Sequence, residues 1–397
     1  MKKAVIVDGL RTPFGRYKGG LKSIRPDDLA SIVIQNLVDK NKINHLQIDD
    51  VVLGCVNQAG EDNRNVARMS LLLAGLSEEI PGVTVNRLCG SGLEAINQAA
   101  MQIETGRAEL IIAGGVESMT RSPLVMLKPE LGYSRGNHTL ADSTIGWRFI
   151  NPRLNQLYPV VTLGESAEIM ADKFHISRRD QDMFSYESHR KASEAEAKGF
   201  FKEEIIPVYE MNSEKILLDR DEHVRIETSF EKLSELPTAF KKHGTVTAGN
   251  SSGINDGAAV LLVMEEEFAI TNGYTPLAEV VTSAVVGVHP SLLGTGPIPS
   301  SLKALERAGL KKEDIDLWEI SEAFASMVLT TVKELNLDPE KVNVNGGGIS
   351  IGHPLGASGA RMTLTLIHEL RRRNLNYGLV TMCIGVGQGI ATILKRR

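Results

Sequence analysis

Cys89, His353 and Cys383 are the residues whose types and settings point to nucleophilic and proton-transfer chemistry. Cys89 lies in Asn86-Arg87-Leu88-Cys89-Gly90-Ser91-Gly92, after a predicted strand and directly before a predicted helix. Unpaired N–H groups and the helix dipole at such a start favour a thiolate, so the expectation is a thiol of lowered pKa, poised as a nucleophile. The flanking glycines permit a tight turn and a close approach to a substrate carbonyl. The competing reading is a small buried hydrophobe. His353 sits in Gly346-Gly347-Gly348-Ile349-Ser350-Ile351-Gly352-His353-Pro354-Leu355-Gly356, where Pro354 fixes the backbone beside the imidazole. A histidine held this way suits a general base near neutral pH, or it caps a turn. Cys383, in Met382-Cys383-Ile384-Gly385-Val386-Gly387-Gln388-Gly389, ends a predicted strand. On residue type alone it is core, and Cys55 is read the same way.

Other motifs compete. Gly249-Asn250-Ser251-Ser252-Gly253 and Gly348-Ile349-Ser350-Ile351-Gly352 both match the G-x-S-x-G elbow of serine hydrolases. The first lacks a clear apolar strand before it, and the second ends at His353 instead of opening into a helix. No G-x-G-x-x-G follows the first strand and no G-x-x-x-x-G-K-[ST] occurs, so a phosphate loop has little support. Cys89, His353 and Cys383 would make an unusual non-local zinc set.

The elements that must hold these residues alternate. Ala4–Val7, Val51–Val56, Val83–Asn86 and Leu110–Ala113 read as strands. Gly92–Gly106 reads as a helix with Leu93, Ile96, Ala99, Ala100 and Ile103 on one stripe. From Thr245 strands return at Ala259–Val263, Ala278–Val286, Leu317–Ile320, Val342–Asn345 and Leu379–Cys383. Between Thr120 and Gly244 the pattern degrades into an inserted region, in which a Ser177–Lys198 helix stands out by its Ser177-x-x-Asp180 start. The blocks around Cys89 and His353 also resemble each other. Val83–Asn86 leads through a glycine turn to Ser91-Gly92 and a helix, and Val342–Asn345 leads through a longer turn to Ser358-Gly359 and a helix. This predicts an α/β fold built by internal duplication.

With 397 residues, 42 % hydrophobic and 23 % charged, the chain has ample material for a large core. A net charge of -5 supplies no global field for nucleic acid or anionic lipid. The three dispersed cysteines argue against a disulfide framework or structural zinc, and the amino terminus reads as neither signal peptide nor membrane span. The expected setting is cytoplasmic.

Taken together, Arg11–Gly15, Asn86–Gly92, Gly114–Met119, Gly244–Gly257, Ser321–Ala325, Val342–Arg361 and Cys383–Gly389 resemble the thiolase family over essentially the whole chain. The resemblance implies duplicated α/β halves in layered α-β-α-β-α order. Residues 1–119 begin the first half, 120–244 form a loop domain, the first half closes near 245–268, and 269–397 form the second half. It implies an acyltransferase working by ping-pong chemistry, with Cys89 as acyl-accepting nucleophile, His353 as its base and Cys383 as the base for the α-carbon. The N–H groups of Cys89 and Gly385 would hold the thioester oxyanion, and His353 with a water the enolate. Ser252, Ala248 and Gly249 would lie along the pantetheine, with Phe324 and Arg225 as further substrate-binding positions. Coenzyme A and acetyl-CoA enter as substrates, with no resident cofactor or metal, no nucleic-acid or membrane partner, and a homodimer or homotetramer as the assembly.

Three departures stand out. Ser321 replaces the asparagine usual in this family before Glu-Ala-Phe, and it either orients the enolate-side water or caps a helix starting at Glu322. Val386 replaces a usual glycine, and Gly348 and Ser350 replace common alanines. The expected substrates are short or medium 3-oxoacyl-CoAs such as acetoacetyl-CoA, placing the enzyme in fatty-acid β-oxidation. Ser143–Pro152 (STIGWRFINP) resembles β-ketoadipyl-CoA thiolases and supports that alternative. A non-catalytic acyl-CoA-binding scaffold is the reading from another class.

Overall fold

Alternation along the strands sends their side chains to opposite faces, and the apolar residues divide accordingly. In the first half Val51, Leu53, Ile112, Val260 and Leu262 face outward, onto helices Pro26–Asn41 and Val66–Leu73. Val52, Ile111, Ala113, Leu261 and Val263 face inward, onto helices Ser91–Glu104 and Leu355–Arg372. The second half repeats this. Val380, Met382 and Ile390 face the same two helices, while Trp318, Ile320, Leu379 and Ile393 face helices Pro297–Ala308 and Ala325–Leu335. The result is five layers, α-β-α-β-α. The computed structural model describes residues 2–129, 132 and 135–397.

The strands form one path in the order Leu317–Ile320, Tyr377–Ile384, Gln388–Arg396, Ala278–Gly287, Ala4–Arg11, Asn255–Glu265, Leu110–Ser118, Asp50–Gly54, Gly82–Val85. Only two residue pairs, Val5 with Glu279 and Ile6 with Ala278, join the halves at the centre. Each half runs outward through two antiparallel pairings and then a parallel one. The halves differ at their outer edges. Gly82–Val85 is a true parallel strand on Asp50–Gly54. The predicted strand Val342–Asn345 is not one: it makes only isolated parallel bridges, from Val342 to Trp318 and from Val344 to Gly346. Asn343 is the reason. Its backbone is left-handed (φ 45°), and its side chain bonds the N–H and C=O of Ile320 in place of a ladder.

Between 120 and 244 the predicted Ser177–Lys198 helix is Arg178–Ala197, capped by Ser177 with a reciprocal Asp180 bond. A second helix, Leu163–Phe174, begins with the same device at Thr162 and Glu165. The sequence contained that signal, which the surrounding charge clusters obscured.

Helices Ser91–Glu104 and Leu355–Arg372 meet at their first turns, where glycine is obligatory. A Cβ on Gly92 would strike the carbonyl of Gly356, one on Gly359 the backbone N of Leu93, and one on Gly115 the carbonyls of Gly356 and Gly54. Backbone therefore packs on backbone, and the loops before both helices are brought to one place. Gly356→Ala, whose Cβ would collide with the Val116 carbonyl, is expected to destabilise the fold by about 3 kcal/mol or more, the upper end for overpacking. Gly287→Ala, with open space around its Cβ, is expected to stay within about 0.5 kcal/mol. Urea unfolding midpoints of the two variants check the contrast.

Candidate active site

The Cys89 turn is fixed by its own side chains. Leu88 takes a left-handed backbone (φ 47°), and its N–H donates to Asn86 Oδ1 at 2.9 Å. Ser91 Oγ donates back to the Leu88 carbonyl at 2.6 Å, and Arg87 grips Glu94 with two bonds of 2.8 and 3.0 Å. Cys89 is only 6 % exposed and packs with Met119, Leu355, Val56 and Ile254.

The expectation of a lowered Cys89 pKa, argued from the helix start alone, does not survive this burial. Loss of water pushes the thiol up to about 12, and the neighbouring Cys383 adds to the rise. The N–H groups of Gly385 and of Cys89 itself face the sulfur and pull the other way, without winning. Cys89 is thus a neutral thiol at rest that needs a base.

His353 has the form of such a base. Its backbone N–H donates to Asn255 Oδ1 at 2.9 Å, and Asn255 Nδ2 donates to the Gly15 carbonyl at 3.0 Å. Nδ1 lies 2.6 Å from Ser358 Oγ, whose hydroxyl proton goes to the Pro354 carbonyl at 2.8 Å. Assigned from this network, the ring proton sits on Nδ1, and Nε2 is left as a lone pair. Nε2 is buried without a hydrogen-bond partner. Burial, with Arg361 adding to it, holds the ring down at about 4, so the imidazole is neutral.

Cys383 ends the strand Tyr377–Ile384 and is 2 % exposed. Ser321 Oγ accepts the Cys383 N–H at 3.2 Å and lies 3.6 Å from its sulfur. Burial pushes this thiol up too, and the Ser321 hydroxyl offsets part of the rise. Ser321 does not cap a helix. The next helix starts at Ala325, with Phe324 in the cap position, because the chain first runs extended past Ser251 and Ser252. After Cys383 comes the turn Gly385-Val386-Gly387, in which Val386 is left-handed (φ 63°). A β-branched residue is strained there, as the usual glycine would not be.

The residues expected on the substrate side connect the Cys383 cluster to a surface cavity. Phe324 packs in the Cys383 cluster and stands edge-on to Phe240 at 5.9 Å. The Ser252 N–H donates to the Ala323 carbonyl at 2.9 Å. Gly249 abuts Leu233 and Leu236, which line a cavity of about 520 Å³ with Arg225 at its rim, and Ala248 is exposed beside it. The hydroxyls of the rival serine motifs are committed elsewhere: Ser251 donates to the Thr247 carbonyl, and Ser350 faces Ser188 at 2.8 Å.

Sequence reasoning missed the groups that hold this arrangement. Glu117 accepts the N–H groups of Val56, Asn57 and Gly356, and burial pushes its carboxyl up to about 7. Glu322 accepts from Ser188, Asn343 and the Ile349 N–H, which pins the glycine loop before His353. Both residues lay inside quoted motifs, yet their partners are distant in sequence.

The model of the thiolase N-terminal domain matches residues 4–267, and that of the thiolase C-terminal domain matches residues 274–396. The chain is 51 % identical to the 3-oxoadipyl-CoA/3-oxo-5,6-dehydrosuberyl-CoA thiolase of Escherichia coli (strain K12) and 50 % identical to a β-ketoadipyl-CoA thiolase of Acinetobacter baylyi, over the full length of both chains in each case. Among solved structures, the Bacillus anthracis acetyl-CoA acetyltransferase superposes with a TM-score of 0.94 at 40 % identity, covering 100 % of this chain and 99 % of that one. Human mitochondrial 3-ketoacyl-CoA thiolase in complex with CoA gives 0.93 at 38 % identity, covering 100 % and 98 %.

A ring held near pH 4 and a thiol near 12 have a consequence for acyl transfer to Cys89 from acetyl-CoA. The rate is expected to stay level from pH 8 down to about pH 5 and to fall only as the ring takes a proton, since the base form persists above its own pKa. Rapid-quench acetylation, over the range where circular dichroism shows the fold intact, checks this. An acid limb centred on the ordinary histidine value of about 6.5 would overturn it.

Proposed function

The chain belongs to the thiolase family, and on that footing we propose that it cleaves 3-oxoadipyl-CoA, a six-carbon 3-oxoacyl thioester with a carboxylate at its far end, or joins its two halves. The carrying observation is that relatives at about half identity over the full chain bear 3-oxoadipyl or β-ketoadipyl names. The STIGWRFINP stretch at Ser143–Pro152 points the same way. The broader reading, acetoacetyl-CoA and other short 3-oxoacyl-CoAs in β-oxidation, rests on the likeness to the acetyl-CoA acetyltransferase and 3-ketoacyl-CoA thiolase structures.

His353 Nε2 takes the Cys89 proton, and the sulfur attacks the 3-oxo carbon. The N–H groups of Gly385 and Cys89, which already face the sulfur, receive the oxyanion. Collapse breaks the bond between the α- and 3-carbons. The departing enolate of acetyl-CoA takes a proton from Cys383, and the succinyl group stays on Cys89. The thiol of free coenzyme A then gives its proton to the Cys383 thiolate and attacks this thioester, and the departing Cys89 sulfur takes its proton back from His353, so that succinyl-CoA is released with all three groups restored. Condensation runs these steps backward. Ser321, bonded to the Cys383 backbone, keeps that thiol in place.

The same reading carries the division at residues 120, 245 and 269, a homodimer or homotetramer, a cytoplasmic setting and no resident cofactor. Leu72, Leu73, Val83 and Met101 are exposed on and beside the unpaired edge strand Gly82–Val85, which supports self-association. Among the described residues no helix is long and apolar enough to cross a membrane, and no group of three metal-binding side chains occurs.

A turnover panel of 3-oxoadipyl-CoA, 3-oxohexanoyl-CoA and acetoacetyl-CoA with free coenzyme A tests the substrate; a higher kcat/KM for the dicarboxylic thioester is expected. Cys383→Ala is expected to slow carbon–carbon bond making and breaking by about 10²–10⁴, while acetylation of Cys89 remains measurable by peptide mass spectrometry. Equal loss of both half-reactions in a folded variant would refute the division of labour. Ser321→Ala is expected to slow the Cys383 step by less than the roughly 10²–10³ of a lost oxyanion donor, with a smaller effect on acetylation. Comparing the two half-reaction rates decides it.

A further inference from the structure

A carboxylate at the far end of the acyl chain needs a cationic partner, and Arg148 is a cation without one. Arg11, Arg87 and Arg121, at a strand end and in loops, and Arg361, in the helix Leu355–Arg372, each hold a carboxylate at 3.3 Å or closer. Arg148 holds none: it is half-buried, and its Nη1 is enclosed without a hydrogen-bond partner. A guanidinium nitrogen shut away from both water and an acceptor is costly, and such a group is satisfied when an anion arrives.

Its segment is pinned at two places to residues bordering the nucleophile. On one side Ser143 is buried, with its Oγ accepting from Asn57 Nδ2 at 3.0 Å. Asn57 follows Val56, which packs in the Cys89 cluster, and both residues donate their N–H groups to Glu117. On the other side Trp147 Nε1 donates to the Val161 carbonyl at 2.9 Å. Two residues on, Leu163 lies 3.9 Å from where a Cβ on Gly385 would sit. The stretch from Ser143 to Trp147 thus runs from the Cys89 side of the site to the Gly385 side, and Arg148 is the next residue.

We propose that Arg148 is a specificity residue of this site, its guanidinium pairing with the terminal carboxylate of a dicarboxylic 3-oxoacyl-CoA. The proposal rests on the thiolase reading of the site. A guanidinium meets a carboxylate through a planar fork of N–H donors, which suits it to this task better than a point charge. The neutral acyl chain of equal length would leave Nη1 as unsatisfied as it is now. Binding sites discriminate most strongly when the wrong ligand leaves a buried polar group unpaired.

The test compares 3-oxoadipyl-CoA with 3-oxohexanoyl-CoA, which has the same number of acyl carbons and no carboxylate, on the full chain and on Arg148→Gln and Arg148→Lys. The native protein is expected to favour the dicarboxylic substrate, and Arg148→Gln to lower the ratio of the two kcat/KM values by about 10–100-fold, as loss of a charge-assisted bond does. Arg148→Lys is expected to recover part of the ratio. Melting temperatures and stoichiometric acetylation of Cys89 by acetyl-CoA verify that each variant is folded and competent. No preference in the native protein would defeat the 3-oxoadipyl reading itself. A native preference that survives Arg148→Gln unchanged would defeat only the role of Arg148. Equal loss on both substrates through a raised KM would also defeat that role and assign the arginine to the coenzyme A phosphates.

Discussion

Everything at this site depends on two helices meeting backbone to backbone. Helices Ser91–Glu104 and Leu355–Arg372 are buried between two half-sheets, and the glycines at their first turns let them approach with no side chain between. Each half contributes one helix and one loop ahead of it. Cys89 thus comes from one copy of the repeated unit and His353 from the other. Duplication by itself would yield two equal loops. The extra residues before Ser358 make them unequal, because they carry His353 and the glycines that Glu322 pins.

Burial of the site costs the protein its charged groups and leaves it neutral ones. With Cys89 held up near 12 and His353 down near 4, the two rest as neutral thiol and neutral imidazole, and charge appears only when a proton moves. Preformed N–H donors then face the charge as it develops, in a medium that screens them poorly. A resting ion pair would have to be desolvated permanently, which is the costlier arrangement.

Much of this was legible in the sequence because its signals are local. The strand-turn-helix around Cys89, the alternation of the strands, the apolar stripe of Ser91–Glu104 and the cap at Ser177 all depend on neighbours within a few residues. What stayed hidden depends on partners far away. Asn343 reads as part of a strand until its side chain is seen on the Ile320 backbone, and at Ser321 water orientation and helix capping stand side by side until its hydroxyl is seen on Cys383. The Cys89 pKa fails for the same reason: the helix start is local and pulls one way, while burial by several elements pulls harder the other way. Glu117 and Glu322 were inside recognisable motifs, but a buried carboxylate shows what it holds only when its donors, from as far as 239 residues along the chain, are in place.

The sheet order has a consequence for how the chain is made. Ala4–Arg11 leaves the ribosome ahead of the other described strands, yet both of its neighbours, Asn255–Glu265 and Ala278–Gly287, lie beyond the middle of the chain. The second half closes its own strands within residues 278–396, whereas the first must wait for Asn255–Glu265 to return after the inserted region. Closing that long loop is slow. Through most of synthesis an apolar strand is therefore without partners on either side, an edge open to pairing with other nascent chains. The demand for chaperone protection thus falls on the amino-terminal half, long before the loops of Cys89 and His353 are brought to one place.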